Sequence, residues 1–172
     1  MSRDLLARFP ELKTLTISRH LDRTVIVEGR FRVPFALMKQ NEKEMGVDHD
    51  GVSFPIQDYN RPLMALPMIH GRADAAVLKE MAASLLLLEK QVPAFYSQIK
   101  FLETDNMRPL VVGLSDDVLI QWGEMTTESV VDRAENILRL RDHFSPKKKL
   151  ALLRFVTTSR VVMDADWMPV GK

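Results

Sequence analysis

The chain has 172 residues, 46% of them hydrophobic and 27% charged, ordinary values for a globular protein with a sizeable core in one or two small domains. Its 24 basic and 23 acidic residues leave a formal charge of +1, which argues against a nucleic-acid binder, since such proteins gather a basic surplus on one face. Cysteine is absent, so disulfides, Cys-ligated zinc and thiol catalysis are excluded, and no apolar run approaches the roughly 18 residues of a membrane span.

Taken in order, Ser2 to Phe9 reads as a short helix stopped by Pro10. Leu12 to Ser18 alternates as a half-buried strand, with Leu15 and Ile17 on one face and Thr14, Thr16 and Ser18 on the other. A turn over 19–23 leads to a second strand, Thr24 to Glu28, where Gly29 suggests a bulge or a bend. Phe31 to Met38 is a third extended run, with Pro34 at an edge or strand start. Asp48-His49-Asp50-Gly51, between Met45/Val47 and Val52/Phe54, reads as a hairpin. Pro55 to Pro67 is an extended surface connection.

Asp74 to Gln91 is the clearest helix. Asp74 stands as its cap, and Val77, Leu78, Met81, Leu85 and Leu88 recur at helical spacing. Three strands follow: Tyr96 to Glu103, Leu110 to Leu114 and Val118 to Trp122. Thr127 to Phe144 is a second long helix, ended by Ser145-Pro146, and Lys147-Lys148-Lys149 is a solvated loop. Leu150 to Trp167 closes the chain as a hairpin of two β-rich runs around a Thr/Ser turn, with 166–172 frayed. In its second run Val161, Met163, Ala165 and Trp167 share one face; Arg160, Val162, Asp164 and Asp166 share the other. A terminal strand is often a sheet edge, whose unpaired N–H and C=O groups can capture a partner strand. The order of elements predicts an α+β fold with mixed, mostly antiparallel strands and two main helices.

Several residue runs resemble the FtsQ/DivIB cell-division family, in the family's order. Arg8-Phe9-Pro10-Glu11-Leu12 through Arg19 is similar to the second half of a POTRA domain. Glu28-Gly29-Arg30-Phe31-Arg32-Val33-Pro34-Phe35-Ala36 resembles that domain's Glu-Arg-x-Pro-x-Ala ending, with Gly29 interrupting the Glu-Arg pair. Val47-Asp48-His49-Asp50-Gly51-Val52-Ser53-Phe54 resembles the hairpin that opens the family's β domain. Leu66-Pro67-Met68-Ile69-His70-Gly71 resembles the Leu-Pro-x-Leu-x-Gly before its helix. Val118 to Gly123, with Arg133 further on, is similar to its strand-Gly-helix step. Leu153-Arg154-Phe155 looks like its Leu-Arg-Phe/Tyr, although Leu152 stands where many members carry Asp.

The resemblance implies a partial POTRA domain over 1–40 and a β domain over 41–172. The family's cytoplasmic tail, membrane helix and first POTRA half are not in this chain, which fits a soluble fragment or a short member. Also implied is a non-enzymatic divisome scaffold on the extracytoplasmic (periplasmic) side of the inner membrane, anchored by that helix in the full-length protein. Its partners would be FtsB-like and FtsL-like proteins, the former adding a strand along the last β-segment. Carried over by position, the partner-binding residues are Arg154, Phe155, Ser159, Arg160, Val161, Val162, Met163 and Trp167. Phe155 and Trp167 are the aromatic anchors of that set, and Arg154 suits a partner carboxylate. The alternative is a POTRA-type module in outer-membrane protein assembly or secretion.

From pattern alone, Phe155 and Trp167 are core aromatics, because large apolar residues are mostly inside. His49 between two aspartates suggests a metal, yet no second ligand cluster stands at a diagnostic spacing, so a turn before Gly51 is the better reading. His20, His70 and His143 are isolated. Neither a cofactor loop nor a catalytic motif occurs, so no catalytic, cofactor or metal residues are assigned.

Overall fold

The structure is a computed structural model that describes residues 2–21, 24–40, 42–57, 66–105, 110–147, 151–164 and 167–169. Most of the Pro55–Pro67 connection, the turn residues 22–23, the end of the lysine run and most of the C-terminal tail lie outside them.

Helix α1 (Ser2–Arg8) leads into β1 (Leu12–Arg19), which pairs antiparallel with β2 (Val25–Phe31) as a separate two-stranded sheet. Leu15 and Ile17 lie opposite Gly29 and Val27, so the alternating pattern places the apolar residues on one face of this ribbon. Gly29 does not bulge. It continues the strand opposite Leu15, and the irregularity falls between Leu12 and Thr14.

Among the described residues a nine-stranded sheet forms most of the remaining framework. Its strands are β3 (Pro34–Gln40), β4 (Lys43–Asp48), β5 (Ser53–Pro55), β6 (Met68–Arg72), β7 (Ile99–Asp105), β8 (Leu110–Leu114), β9 (Leu119–Gly123), β11 (Leu152–Phe155) and β12 (Val161–Met163). Their order is β12-β11-β9-β8-β7-β6-β3-β4-β5. Strand β3, read from the sequence with the first unit, pairs here with β4 and β6. Pro34 begins it, where a missing N–H is tolerated. Three pairs are parallel (β3/β6, β6/β7 and β9/β11) and the others antiparallel. The fold is therefore α+β with a mixed, mostly antiparallel sheet.

One row of directly opposed residues crosses the whole sheet: Met163, Leu153, Ile120, Val112, Leu102, Ile69, Met38, Met45 and Pro55. Opposed residues share a face, and most of this row is buried. Two helices cover it. Helix α2 (Ala75–Gln91) connects β6 to β7, and α4 (Val130–His143) connects β9 to β11. Both crossovers step in the same direction along the sheet, so right-handed connections put both helices on one face, where they touch. Asp74 caps α2 by accepting the Val77 N–H at 2.9 Å, as its position predicts. The opposite face carries Val162, Arg154, Gln121, Val111, Glu103 and His70 in a second row, polar and largely open.

Three element boundaries differ from the sequence reading. The strand expected from Tyr96 starts at Ile99, because Pro93 at a first helical position opens a one-turn helix, α3 (Pro93–Tyr96). The second long helix starts at Val130 and not Thr127; a turn held by Thr126 and Ser129, whose hydroxyls are 3.0 Å apart, precedes it. It ends at His143, and Phe144 turns extended to begin β10 (Phe144–Pro146). That strand pairs with β13 (Trp167–Pro169), so the run from Arg160 to Trp167 is two strands, not one. Asp164 separates them. Its carboxylate accepts the Leu152 N–H at 3.0 Å, while its own N–H reaches the Leu152 carbonyl at 3.2 Å. A side chain thus takes the place of a main-chain acceptor, and the ladder stops.

Candidate functional site: the open edge of strand β12

Among the described residues, strand β12 is the first strand of the large sheet and has a single neighbour, β11. The register pairs Leu153 with Met163, Arg154 with Val162 and Phe155 with Val161. Beyond the ends of β12, Val156 donates to the Arg160 carbonyl at 2.9 Å and Asp164 to the Leu152 carbonyl. Hydrogen-bonded pairs alternate along an antiparallel ladder. Residues 160, 162 and 164 therefore direct their backbone groups inward to β11. Val161 and Met163 direct theirs outward, to the side where the sheet has no further strand among the described residues.

The hairpin is held firmly behind that edge. Thr157 Oγ1 accepts the Arg160 N–H at 3.0 Å, and Asn136 of α4 donates to the Thr158 carbonyl at 3.4 Å. The side chains of Val161 and Met163 are half-buried against the core, which fixes the outward direction of their peptide groups. Val162 stands on the open face and is 47% exposed. Arg154 beside it, and Ser159 and Arg160 in the turn, are also exposed. The edge thus offers two outward-facing residues, an exposed valine and two cationic side chains.

The two aromatic residues expected as anchors are placed differently. Phe155 shares a face with Leu153 and is half-buried, its ring 5.4 Å from that of Trp122 in an edge-on contact. Over its other side lies the Arg133 guanidinium, 5.1 Å from the ring centroid. Trp167 is 8% exposed and belongs to the core. Its strand pairs with β10, not along the edge, so it offers no surface ring. Trp167 thus follows the burial reading made from pattern, while Phe155 keeps part of its ring at the surface.

Arg133 ties this corner together. Its Nη1 donates to the carbonyls of Trp122, at 2.5 Å, and Glu124, at 3.1 Å, on either side of Gly123. Gly123 has φ of 77°, a left-handed turn that glycine adopts without strain. Burial lowers the pKa of the guanidinium, and the Glu124 carboxylate opposes that shift. The strand-Gly-helix step and the distant Arg133 are therefore one hydrogen-bonded unit. Sequence spacing pairs them only through the family resemblance.

Asp48, His49, Asp50 and His70, also singled out in the sequence, make local contacts. Asp48 is buried, and its carboxylate accepts the N–H groups of Asp50 at 3.0 Å and Val52 at 2.9 Å while pairing with Arg32. It builds the turn and ties the end of β2 to it. His49 stacks on Phe35 with centroids 5.4 Å apart. Lys13 hydrogen-bonds Asp50 at 2.8 Å and so holds that carboxylate below its ordinary pKa. His70 meets Phe101 edge-on at 5.5 Å on the open face. Among the described residues no group of three metal-ligating side chains converges. A crevice of ≈ 30 Å³ between α2 and the ends of β7, β8 and β9, lined by Val77, Met81, Leu110 and Met125 among others, is far smaller than metabolite pockets. Among the described residues no helix is long and apolar enough to cross a membrane. In comparisons with known proteins, the chain matches no family model and no curated sequence.

Proposed function

We propose that this chain is a protein-binding module that takes a partner segment as an added strand along β12, in the manner of the FtsQ/DivIB scaffolds it resembles. On this reading the chain acts in bacterial cell division, on the extracytoplasmic face of the inner membrane, and its partners are FtsB-like and FtsL-like proteins. The observation that carries the reading is the position of β12 at the end of the large sheet, with Val161 and Met163 turned outward. Main-chain bonds to these residues would set the register of the visiting strand. Val162, Arg154 and Arg160 would meet its side chains, favouring an apolar residue flanked by carboxylates.

Two proline substitutions separate the edge from the hairpin behind it. Val161→Pro removes an outward N–H and leaves the bonds to β11 in place, because residue 161 does not bond to β11. Titrated with the extracytoplasmic part of an FtsB-like partner, it should bind about 10-fold or more weaker with the melting temperature nearly unchanged, since a lost interface hydrogen bond costs about 0.5–1.5 kcal/mol and the ring adds a steric clash. Val162→Pro should instead lower stability, because residue 162 bonds to Arg154 in the chain's own ladder. Unchanged affinity in Val161→Pro removes the strand-addition reading.

A further inference from the structure

The turn between β4 and β5 touches both the β1–β2 ribbon and helix α2. Among the described residues neither strand of the ribbon packs extensively against that helix. The two carboxylate oxygens of Asp48 have separate partners. Oδ1 accepts the N–H groups of Asp50 at 3.0 Å and Val52 at 2.9 Å, which closes the turn. Oδ2 accepts from Nη1 of Arg32, the residue that follows β2. Arg32 is seated on the ribbon side by its own bonds. Its N–H donates to the Glu11 carbonyl at 2.8 Å, and its Nε to the Pro10 carbonyl at 3.0 Å. The ion pair is sheltered, with side-chain exposures of 17% for Arg32 and 3% for Asp48.

The same turn bears on α2. Gly51 is buried and has φ of 77°, a left-handed conformation. A Cβ there would stand 2.7 Å from the Lys79 nitrogen and 2.8 Å from the Ala75 carbonyl oxygen. Those atoms lie four residues apart, the donor and acceptor of the first hydrogen bond inside α2. The turn backbone therefore rests directly on the start of the helix, with no room for a side chain between them. Without Arg32, Asp48 would hold a buried charge with one oxygen unpartnered, which is strongly destabilising. Water relieves that charge only if the turn lifts, and a lifted turn leaves α2. We propose that this turn is a coupling joint, in which the seating of the ribbon, sensed by Asp48 through Arg32, sets how firmly the first turn of α2 is held. The coupling is reciprocal, as linkage requires, and it is independent of the β12 edge.

Amide hydrogen exchange in an Arg32→Met chain tests it. The Met side chain keeps an apolar stem and removes the guanidinium, and Arg32 lies at the rim of the fold, so the variant is expected to fold. The Leu78 and Lys79 amides should exchange about tenfold or more faster than in the unaltered chain. The Val112 and Ile120 amides, in β8 and β9 away from the turn, should keep their rates. Asp48→Asn separates the tie from the turn, because Oδ1 remains as an acceptor and no charge is left to be buried alone. In that background Arg32→Met should change the Leu78 and Lys79 rates by less than about threefold. Leu78 and Lys79 amides unmoved by Arg32→Met overturn the proposal. A uniform acceleration that includes Val112 and Ile120 overturns it too, since it marks a general loss of stability. So does an undiminished effect in the Asp48→Asn background, which takes the route away from Asp48.

Discussion

Replacing Trp122 by Ala is expected to lower the unfolding free energy by about 3–5 kcal/mol, a large share of the total for a domain of this kind. Trp122 is 1% exposed and joins the sheet to its helical layer. Its ring lies 5.7 Å from that of Phe95, next to α2, and 5.4 Å from that of Phe155 on β11. Removing it opens a large cavity and takes away the ring that Phe155 meets edge-on. Because β11 carries β12, the damage should spread to the hairpin. Urea unfolding followed by circular dichroism measures the loss. A Trp122→Phe variant keeps most of the packing and should lose clearly less. A loss below about 1 kcal/mol for the Ala variant, the size of an ordinary surface change, would contradict the packing described here.

The second large effect is expected at Gly71, the last residue of the Leu-Pro-Met-Ile-His-Gly run. It has φ of 90° and pairs with Thr104 across the parallel β6/β7 seam. A Cβ there would stand 1.8 Å from the Thr104 carbonyl oxygen, a backbone atom that cannot swing aside. Gly71→Ala therefore combines an unfavourable backbone conformation, roughly 1–3 kcal/mol, with a clash that pushes two strands apart. The expected result is a loss of more than about 2 kcal/mol in the same urea experiment. Gly29→Ala is the control, since a Cβ at that position meets only side-chain and backbone atoms at 3.5 Å or more. Equal effects at the two positions would mean that the seam yields more easily than its geometry implies.

Local signals in the sequence located the elements whose cause is local. Asp74 lies where a cap should lie and accepts the Val77 N–H. Asp48-His49-Asp50-Gly51 forms its turn because the Asp48 side chain collects the N–H groups beyond it. The stripe of α2 follows from spacing, and Leu78, Met81 and Leu85 are all buried. What failed depends on distant partners. The run from Arg160 to Trp167 alternates as one strand would, yet Asp164 binds Leu152 and Trp167 pairs with a strand after α4. No local pattern announces either contact.

The candidate site divides in the same way. That β12 would end a sheet was a reasonable expectation for a terminal hairpin. Which of its residues face outward depends on the ladder register, fixed by the Val156–Arg160 bond, and that register makes Val161 the position where a proline tests the edge. Phe155 was within reach of simple parity, because it lies two residues from Leu153 and so shares its buried face. The resemblance drew it toward the surface, and Arg133, far away in sequence, holds it where it is.

Amide hydrogen exchange at the β12 edge, followed residue by residue by nuclear magnetic resonance, tests the central claim most directly. In the free chain the Val161 and Met163 amides should exchange rapidly while Val162 is protected by its bond to β11. With an FtsB-like extracytoplasmic segment added, all three should be protected. Slow exchange at Val161 and Met163 in the free monomer would mean that the edge is already occupied, and the strand-addition account would not stand.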